Sequence, residues 1–496
     1  MNKSKILKNI IVGFGGQSII MILGIIVPRI MIVAYGSDIN GLTSTITQIF
    51  TYMALLEAGI SQAAKNALYQ PIAKKDRKGI SYIVSIAQRY FRKITLYYGM
   101  GVIALSLLAP FLLKTNVDKI IIMLIIILEG MSGVISFYYI ETPSAILSAE
   151  GKNYINNGVS VVNRALSYAA RIIMASLGIN IIFLEVVYFL ITIAKVFFYK
   201  VYMKRYYSWI NYNAAPKTEK LKDRNSYVIT ELAWTMFSST DMIVLSTFVS
   251  TQMASVYSIY NMVFSNINVL LNSAYVSVNY ILGQTYYEDI KKYAKVHDSF
   301  TSIFLGSMTI LMCVAYVLII PFIRLYTNGI TDVNYINESL PILFALVQMI
   351  SWSRYISGNL TGIAGYAKSI SYISLIEALS NVVLSVIFVH YFGIAGVLLG
   401  TVLALPLKVV WCTYIADRKV MHRSCWKSIS IIGINYLFFC IVILLSNFFQ
   451  LSINSYGQFF IWGIILTTVF GAVGMCLNFL INRDCWIVLR KYILKR

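Results

Sequence analysis

Long apolar runs alternate with short polar connections along the whole chain. About fourteen of them approach or exceed the length of a membrane-crossing helix: roughly 9–35, 41–66, 82–113, 119–147, 154–177, 181–203, 226–249, 254–284, 300–324, 337–362, 368–390, 394–416, 428–449 and 457–481. A helix needs about 20 mainly apolar residues to cross the hydrocarbon core. The pattern predicts an all-α polytopic membrane protein with about 14 transmembrane helices. No soluble domain is expected on either face, because the connections are short. The largest, about 204–225, holds "NYNAAPKTEKLKDRN" and reads as a polar linker.

Composition agrees. The 496 residues are 58% hydrophobic and 12% charged, and the mean hydropathy is +0.72. A soluble domain carries about 25% charged residues. The net charge of +21 could suggest nucleic acid, but the basic residues fall between apolar runs. One alternate set of connections holds Lys74, Lys75, Arg77, Lys78, Lys152, Lys204, Arg205, Lys291, Lys292, Arg418, Lys419 and Arg423. The other set, such as "GSDIN", "SLGIN" and "YFGIA", is nearly free of Lys and Arg, with "KTNVDK" the exception. That asymmetry predicts an even helix count with both termini in the cytoplasm. The run after Lys3, Lys5 and Lys8 is too long for a signal-peptide core and reads as a first spanning helix. Six scattered cysteines without a CxxC pair, and three histidines far apart, offer neither a disulfide framework nor a metal site. No cofactor is expected.

The chain also repeats itself. Gly151 of "SAEGK" aligns with Gly365 of "GIAGYAK" at an offset of 214, "SLGIN" with "YFGIA" at 215, and Arg29 with Asp241 at 212. Such a period implies two six-helix bundles in parallel orientation plus two C-terminal helices, a plan common among transporters. The expected domains are 1–205, a linker at 206–225, 226–420, and a C-terminal piece at 421–496 that adds a basic tail.

Candidate chemistry lies on polar stripes inside the apolar runs. Asn261, Ser265, Asn268, Asn272, Tyr275 and Asn279 recur at spacings of 4, 3, 4, 3 and 4, which puts them on one helix face. Asn156, Ser160, Arg164, Ser167 and Arg171 form a second stripe, Glu231 and Asp241 sit on a third helix, and Glu377 leads Asn381 and Ser385 on a fourth. Such rows can simply join helices by hydrogen bonds. Charges explain less easily that way. An arginine such as Arg29, in "GIIVPRIMIVAYG", costs roughly 2.5–3.5 kcal/mol at the middle of a span, so buried charges tend to face a bundle interior or a water-filled cavity. The bland reading for Arg29 is snorkelling to the interface. For Glu57, Glu129, Glu141 and Glu185 it is ion pairing with the inserted arginines. The GxxxG patterns "GNLTG" and "GVLLG" read as close helix packing. No Walker A, HExxH or DxD motif is present, which disfavours an enzyme.

The stretches "VPRIMIVAYGSDINGL", "LLEAGISQAAKNALYQP", "SAEGK", "SSTDMIVLSTFVSTQMASVYS" and "GIAGYAK" resemble, in order and spacing, the bacterial polysaccharide repeat-unit flippases. These belong to the multidrug/oligosaccharidyl-lipid/polysaccharide exporter (MOP) superfamily. The resemblance implies two bundles around a central cavity and transport by alternating access. It also implies a polyprenyl-diphosphate-linked oligosaccharide as substrate, moved across the cytoplasmic membrane for surface polysaccharide such as capsule or O-antigen. On this reading Arg29, Arg164, Arg171 and Arg354 form a cationic cavity for the diphosphate. Asn261, Asn268, Asn272 and Asn279 line it, while Glu231, Asp241 and Glu377 serve coupling or ion pairing. Expected partners are the lipid-linked substrate, membrane lipids and other polysaccharide-assembly membrane proteins, and no nucleic acid. The alternatives are a cation-coupled multidrug exporter of the same superfamily and an integral membrane polysaccharide polymerase.

Overall fold

The computed structural model describes residues 3–214, 239–448 and 451–485. Glu231, most of the expected linker and the basic tail lie outside them, as does the side chain of Asn279. The described chain is helical throughout: α1 (Lys3–Ala73), α2 (Arg77–Leu112), α3 (Lys119–Tyr139), α4 (Glu141–Ala149), α5 (Asn153–Ser176) and α6 (Ile181–Tyr206). Then follow α7 (239–248 as described), α8 (Thr251–Glu288), α9 (Ile290–Tyr326), α10 (Leu340–Ser353), α11 (Tyr355–Ile363), α12 (Ala367–Ala404) and α13 (Pro406–Tyr414). A π-helical turn at Ile415–Val420 precedes α14 (Trp426–Ser446) and α15 (Tyr456–Ile481). This is an all-α polytopic membrane fold. Each expected span is mostly helix wherever its residues are described.

Two connections read as loops are instead kinks. The first two spans form one continuous helix, α1, bent at Gly36 (φ 84°, ψ 168°). The eleventh and twelfth spans join likewise within α12 at Gly393 (φ 55°, ψ −129°). Only glycine visits such backbone angles without strain. Spans four and ten, by contrast, are broken. Span four breaks at Ile140, where Pro143 in the first turn of α4 removes a backbone donor. Span ten breaks at Arg354. The two breaks lie 214 residues apart, the period found in the sequence.

The turns repeat with the same period. Gly151 (φ 72°) and Gly365 (φ 89°) both have left-handed angles. Around the first, Glu150 N donates to Ile146 O, Gly151 N to Ser148 O and Lys152 N to Leu147 O. Around the second, Ala364 N donates to Leu360 O, Gly365 N to Gly362 O and Tyr366 N to Thr361 O. This is one helix-stop geometry used twice. Lys152 adds an ion pair with Glu150 (2.7 Å) and donates to the Tyr207 hydroxyl (2.9 Å). Burial works against its charge, but these partners hold the ammonium pKa above the usual lysine range.

The exceptional "KTNVDK" connection is accounted for locally. Lys114 Nζ donates to Phe248 O (2.7 Å), a cation at the C-terminal end of α7 where carbonyls lack helical partners. Lys119 stacks over the Phe111 ring at 4.4 Å. Both lysines therefore have structural work that overrides the loop charge pattern.

The chain divides into two compact units, Met1–Ser255 and Val256–Arg496. In the first, the second half of α1 packs on α7 and the first turn of α8. Asn40 Nδ2 donates to Ser255 Oγ (2.8 Å), the Thr45 and Ser246 hydroxyls meet at 2.5 Å, and Thr251 and Gln252 donate to Asp38 (2.6 and 3.0 Å). In the second unit, α14 and α15 dock on α9 through a polar ladder. Arg423 holds Asp298 with two bonds (2.7 and 2.6 Å), Asn482 reaches Ser302 (3.2 Å), and Asn478 lies against Gly306, which has no side chain to obstruct it. Asn435 and Asn478 close the ladder with reciprocal amide bonds at 3.0 Å. Positions 298, 302 and 306 lie one turn apart on one face of α9.

Candidate functional site

The interior of the first unit has two apolar cores. One gathers Ile60, Leu68, Ile80, Val84, Phe91, Ile146 and Tyr199 near the Lys-rich connections. The other gathers Val27, Leu42, Ile46, Tyr98, Ile122, Ile125 and Leu184. Along α1 and α6 the cores leave a gap. Glu57 of α1 and Tyr188, Thr192 and Lys195 of α6 fall in it. Glu57 and Lys195 thus lie between two greasy layers.

Two charged clusters lie in the interior of this unit. In one, Glu57 and Glu141 lie in electrostatic reach of each other, with Lys65 and Lys195 in reach of Glu141. In the other cluster Arg171 of α5 lies in electrostatic reach of Glu185 of α6 and Glu129 of α3, and its guanidinium stands 5.6 Å over the Tyr188 ring. Thr47 donates to Glu129 (3.0 Å). Glu185 is fully buried, and neither of its oxygens, nor Arg171 Nε, has a hydrogen-bond partner.

Arg164, two turns before Arg171 on α5, differs. It is exposed and carries no ion pair among the described residues. Lys195, another cation, is in electrostatic reach of it. Arg29 is half-buried in α1 and has interaction partners. Asp241 is buried in α7 next to Thr240, whose hydroxyl meets that of Tyr52.

In the second unit the expected roles of Arg354 and Glu377 merge. Arg354, at the helix break, is ion-paired with Glu377 of α12, and both are buried. Lys408 of α13 lies 3.8 Å from the other Glu377 oxygen. The repeat places this triad where the first unit has Glu141, Arg164 and Lys195. Ile140, preceding Glu141, matches Arg354 at 214; Arg164 matches Ala378, beside Glu377; and Lys195 matches Lys408 at 213. The acid is on the broken helix in one unit and on the following helix in the other.

The α8 stripe is divided. Ser265 and Asn272 are exposed. Asn268 accepts a bond from Trp352 Nε1 (2.7 Å), and Tyr275 packs against Trp352, Tyr355 and Phe304. Asn261 is half-buried. Leu270, off the stripe and two residues before Asn272, is 54% exposed. A hydrophilic thiol reagent should therefore label a cysteine at Asn272 at least several-fold faster than one at Leu270, in a background without native cysteines. Equal rates would mean that the two faces meet the same medium.

Sequence reasoning missed Lys195, although an isolated lysine in "ITIAKVFF" is as costly as the arginines that drew notice. It also could not show that Arg354 and Glu377 are partners, because only the broken helix brings them together.

No protein-family model matches the chain, and no curated protein sequence matches it. Solved structures do. A multidrug resistance MATE family transporter of the MOP superfamily, in an inward-facing conformation, matches with a TM-score of 0.67 at 14% identity, over 80% of this chain and 94% of that one. The lipid II flippase MurJ, in an inward closed conformation, matches with a TM-score of 0.66 at 15% identity, over 94% and 98%. A MOP superfamily transporter from Pyrococcus furiosus, described by a binding pocket of reverse polarity, matches with a TM-score of 0.55 at 14% identity, over 85% and 96%. At these identities the likeness is one of fold: the chain has the fold of MOP superfamily transporters.

Proposed function

We propose that this protein is a transporter, not an enzyme, and that it flips polyprenyl-diphosphate-linked oligosaccharide across the cytoplasmic membrane by alternating access, for surface polysaccharide assembly. The observation that carries the reading is Arg164. Its guanidinium is exposed within a span, without a counter-ion among the described residues. An anionic substrate is a partner that offsets the cost of inserting it, through bidentate charge-assisted bonds to phosphate. The fold is compatible, since solved chains that share it include a lipid II flippase as well as MATE transporters. Arg29 joins Arg164 in this role. Arg171, in electrostatic reach of Glu185 and Glu129, positions α5.

In cells lacking the native protein, Arg164→Ala should lower translocated glycan about tenfold at unchanged membrane abundance. Arg164→Lys should restore part of it, keeping the charge but not the planar fork. Normal transport by Arg164→Ala would remove the anion-contact role.

The orientation is part of the proposal: both termini and the Lys-rich connections face the cytoplasm. Reporter fusions after Lys75, Lys292 and Arg423 should score inside, and those after Ile179 and Ser455 outside. A single reversal among these five would break the alternation.

A second reading, a cation-coupled exporter, is favoured by one observation. Glu129 and Glu185 are both in electrostatic reach of Arg171, so this cluster holds one more acid than base. Drug-stimulated proton or sodium flux in proteoliposomes, with no movement of the glycolipid, would favour that reading.

A further inference from the structure

At the Lys-rich end of the first unit, α2, the α3–α4 break, α6 and the segment after α6 enclose a pocket of about 280 Å³. Lys200 and Lys204 of α6 line it together with Tyr138, Tyr139, Thr142 and Tyr212, and no carboxylate lines it. The nearby acid Glu150 is already engaged by Lys152 and Tyr207. Among the described residues neither ammonium group has an acidic partner. Thr142 is 3% exposed, and its hydroxyl has no hydrogen-bond partner. A buried hydroxyl without a partner is costly unless something fills the space and bonds to it.

The position matters as much as the charge. Lys200 and Lys204 sit in the last two turns of α6, where that span ends at Tyr206. Tyrosines gather there, the composition of a membrane–water interface. Lys200 and Lys204 are one turn apart, and Phe197 (66% exposed) and Val201 (48% exposed) lie on the adjoining face, with Leu190 and Ile193 exposed further into the span. A cationic pocket thus opens beside an apolar helix face that runs into the bilayer. The volume suits a phosphate-bearing headgroup, and is too small for an oligosaccharide-bearing diphosphate as well.

We propose that this pocket binds the headgroup of an anionic membrane phospholipid, with Lys200 and Lys204 on the phosphate, Thr142 donating from the pocket wall, and an acyl chain along Phe197 and Val201 of α6. Basic pockets between spanning helices at a membrane surface hold anionic headgroups in this manner. The inference uses the membrane placement of α6 and not the identity of the transported substrate.

The test is native mass spectrometry of the full-length protein released from nanodiscs of phosphatidylglycerol or of phosphatidylcholine, with lipid titrations read as bound fractions. Wild type should retain one phosphatidylglycerol far more tightly than phosphatidylcholine. Affinity should drop roughly fivefold for each lysine removed in Lys200→Ala and Lys204→Ala. Thr142→Val, which keeps the shape, should weaken retention without altering the melting temperature in detergent. Lys119→Ala, far from the pocket in sequence and stacked on Phe111, should behave as wild type. Glycerol phosphate and inorganic phosphate should compete only weakly, because neither carries the chain that lies on α6. Equal retention by the double lysine variant, equal retention of phosphatidylcholine, or full displacement by inorganic phosphate would each overturn the proposal.

Discussion

Gly396→Ala is expected to leave little folded protein in the membrane, while Gly362→Ala is expected to be nearly silent. Both glycines belong to GxxxG patterns, so the sequence alone treats them alike. The structure separates them. A Cβ at Gly396 would stand 2.1 Å from Phe388 O and 2.4 Å from Phe388 C, and one at Gly400 would stand 2.6 Å from Ser385 N. These are backbone atoms in the other half of the bent helix α12, and they cannot swing aside. Nothing lies within 4 Å of a Cβ at Gly362. Overpacking a tight contact costs about 1–3 kcal/mol and more when only backbone can yield. Fluorescence-detected size exclusion with melting of the detergent-solubilised protein should show Gly396→Ala largely aggregated. Gly362→Ala should melt within a few degrees of wild type. Equal melting temperatures would mean that the α12 hairpin is not packed in this way.

The buried triad in the second unit gives the other large effect, and it should be asymmetric. Arg354 and Lys408 share one acid, Glu377. Removing Glu377 strands two cations in a buried site. Removing Arg354 leaves Glu377 with Lys408. Breaking a buried pair by deleting one partner costs about 3–5 kcal/mol, so Glu377→Ala should fall in that range and Arg354→Ala below it. Arg354→Ala combined with Glu377→Ala should recover part of the loss, as a double-mutant cycle registers for coupled residues. Three equal melting temperatures, or an Arg354→Ala worse than Glu377→Ala, would show that this triad is not the unit described.

How far the sequence could be read depends on which physics each feature obeys. Spans follow from hydropathy alone, so each expected span is mostly helix among the described residues. The repeat was also legible, because a glycine forced to positive φ is a sequence mark. Gly151 and Gly365 sit at the stated offset and adopt the same turn. The kinks at Gly36 and Gly393 were not, since a polar pentapeptide such as "GSDIN" reads as a loop whether or not the helix continues through it. The site was legible as a set of costly charges but not as pairs. Helical periodicity put Arg164 and Arg171 on one face, yet only tertiary packing brings Arg171 into reach of Glu185 and Glu129 and leaves Arg164 without an acid partner among the described residues. Asn268 illustrates the same limit. Its stripe marks a polar face, but Trp352 Nε1 takes up its oxygen.

The most direct measurement is transbilayer movement in proteoliposomes that contain purified protein and a fluorescent polyprenyl-diphosphate oligosaccharide. Wild type should move the lipid to the opposite leaflet, and Arg164→Ala should slow that movement about tenfold while reconstituting to the same protein density. Phosphatidylcholine should not move in either case. Equal rates for wild type and Arg164→Ala, or movement of phosphatidylcholine as fast as that of the diphosphate lipid, would contradict a flippase that grips its substrate by the phosphate.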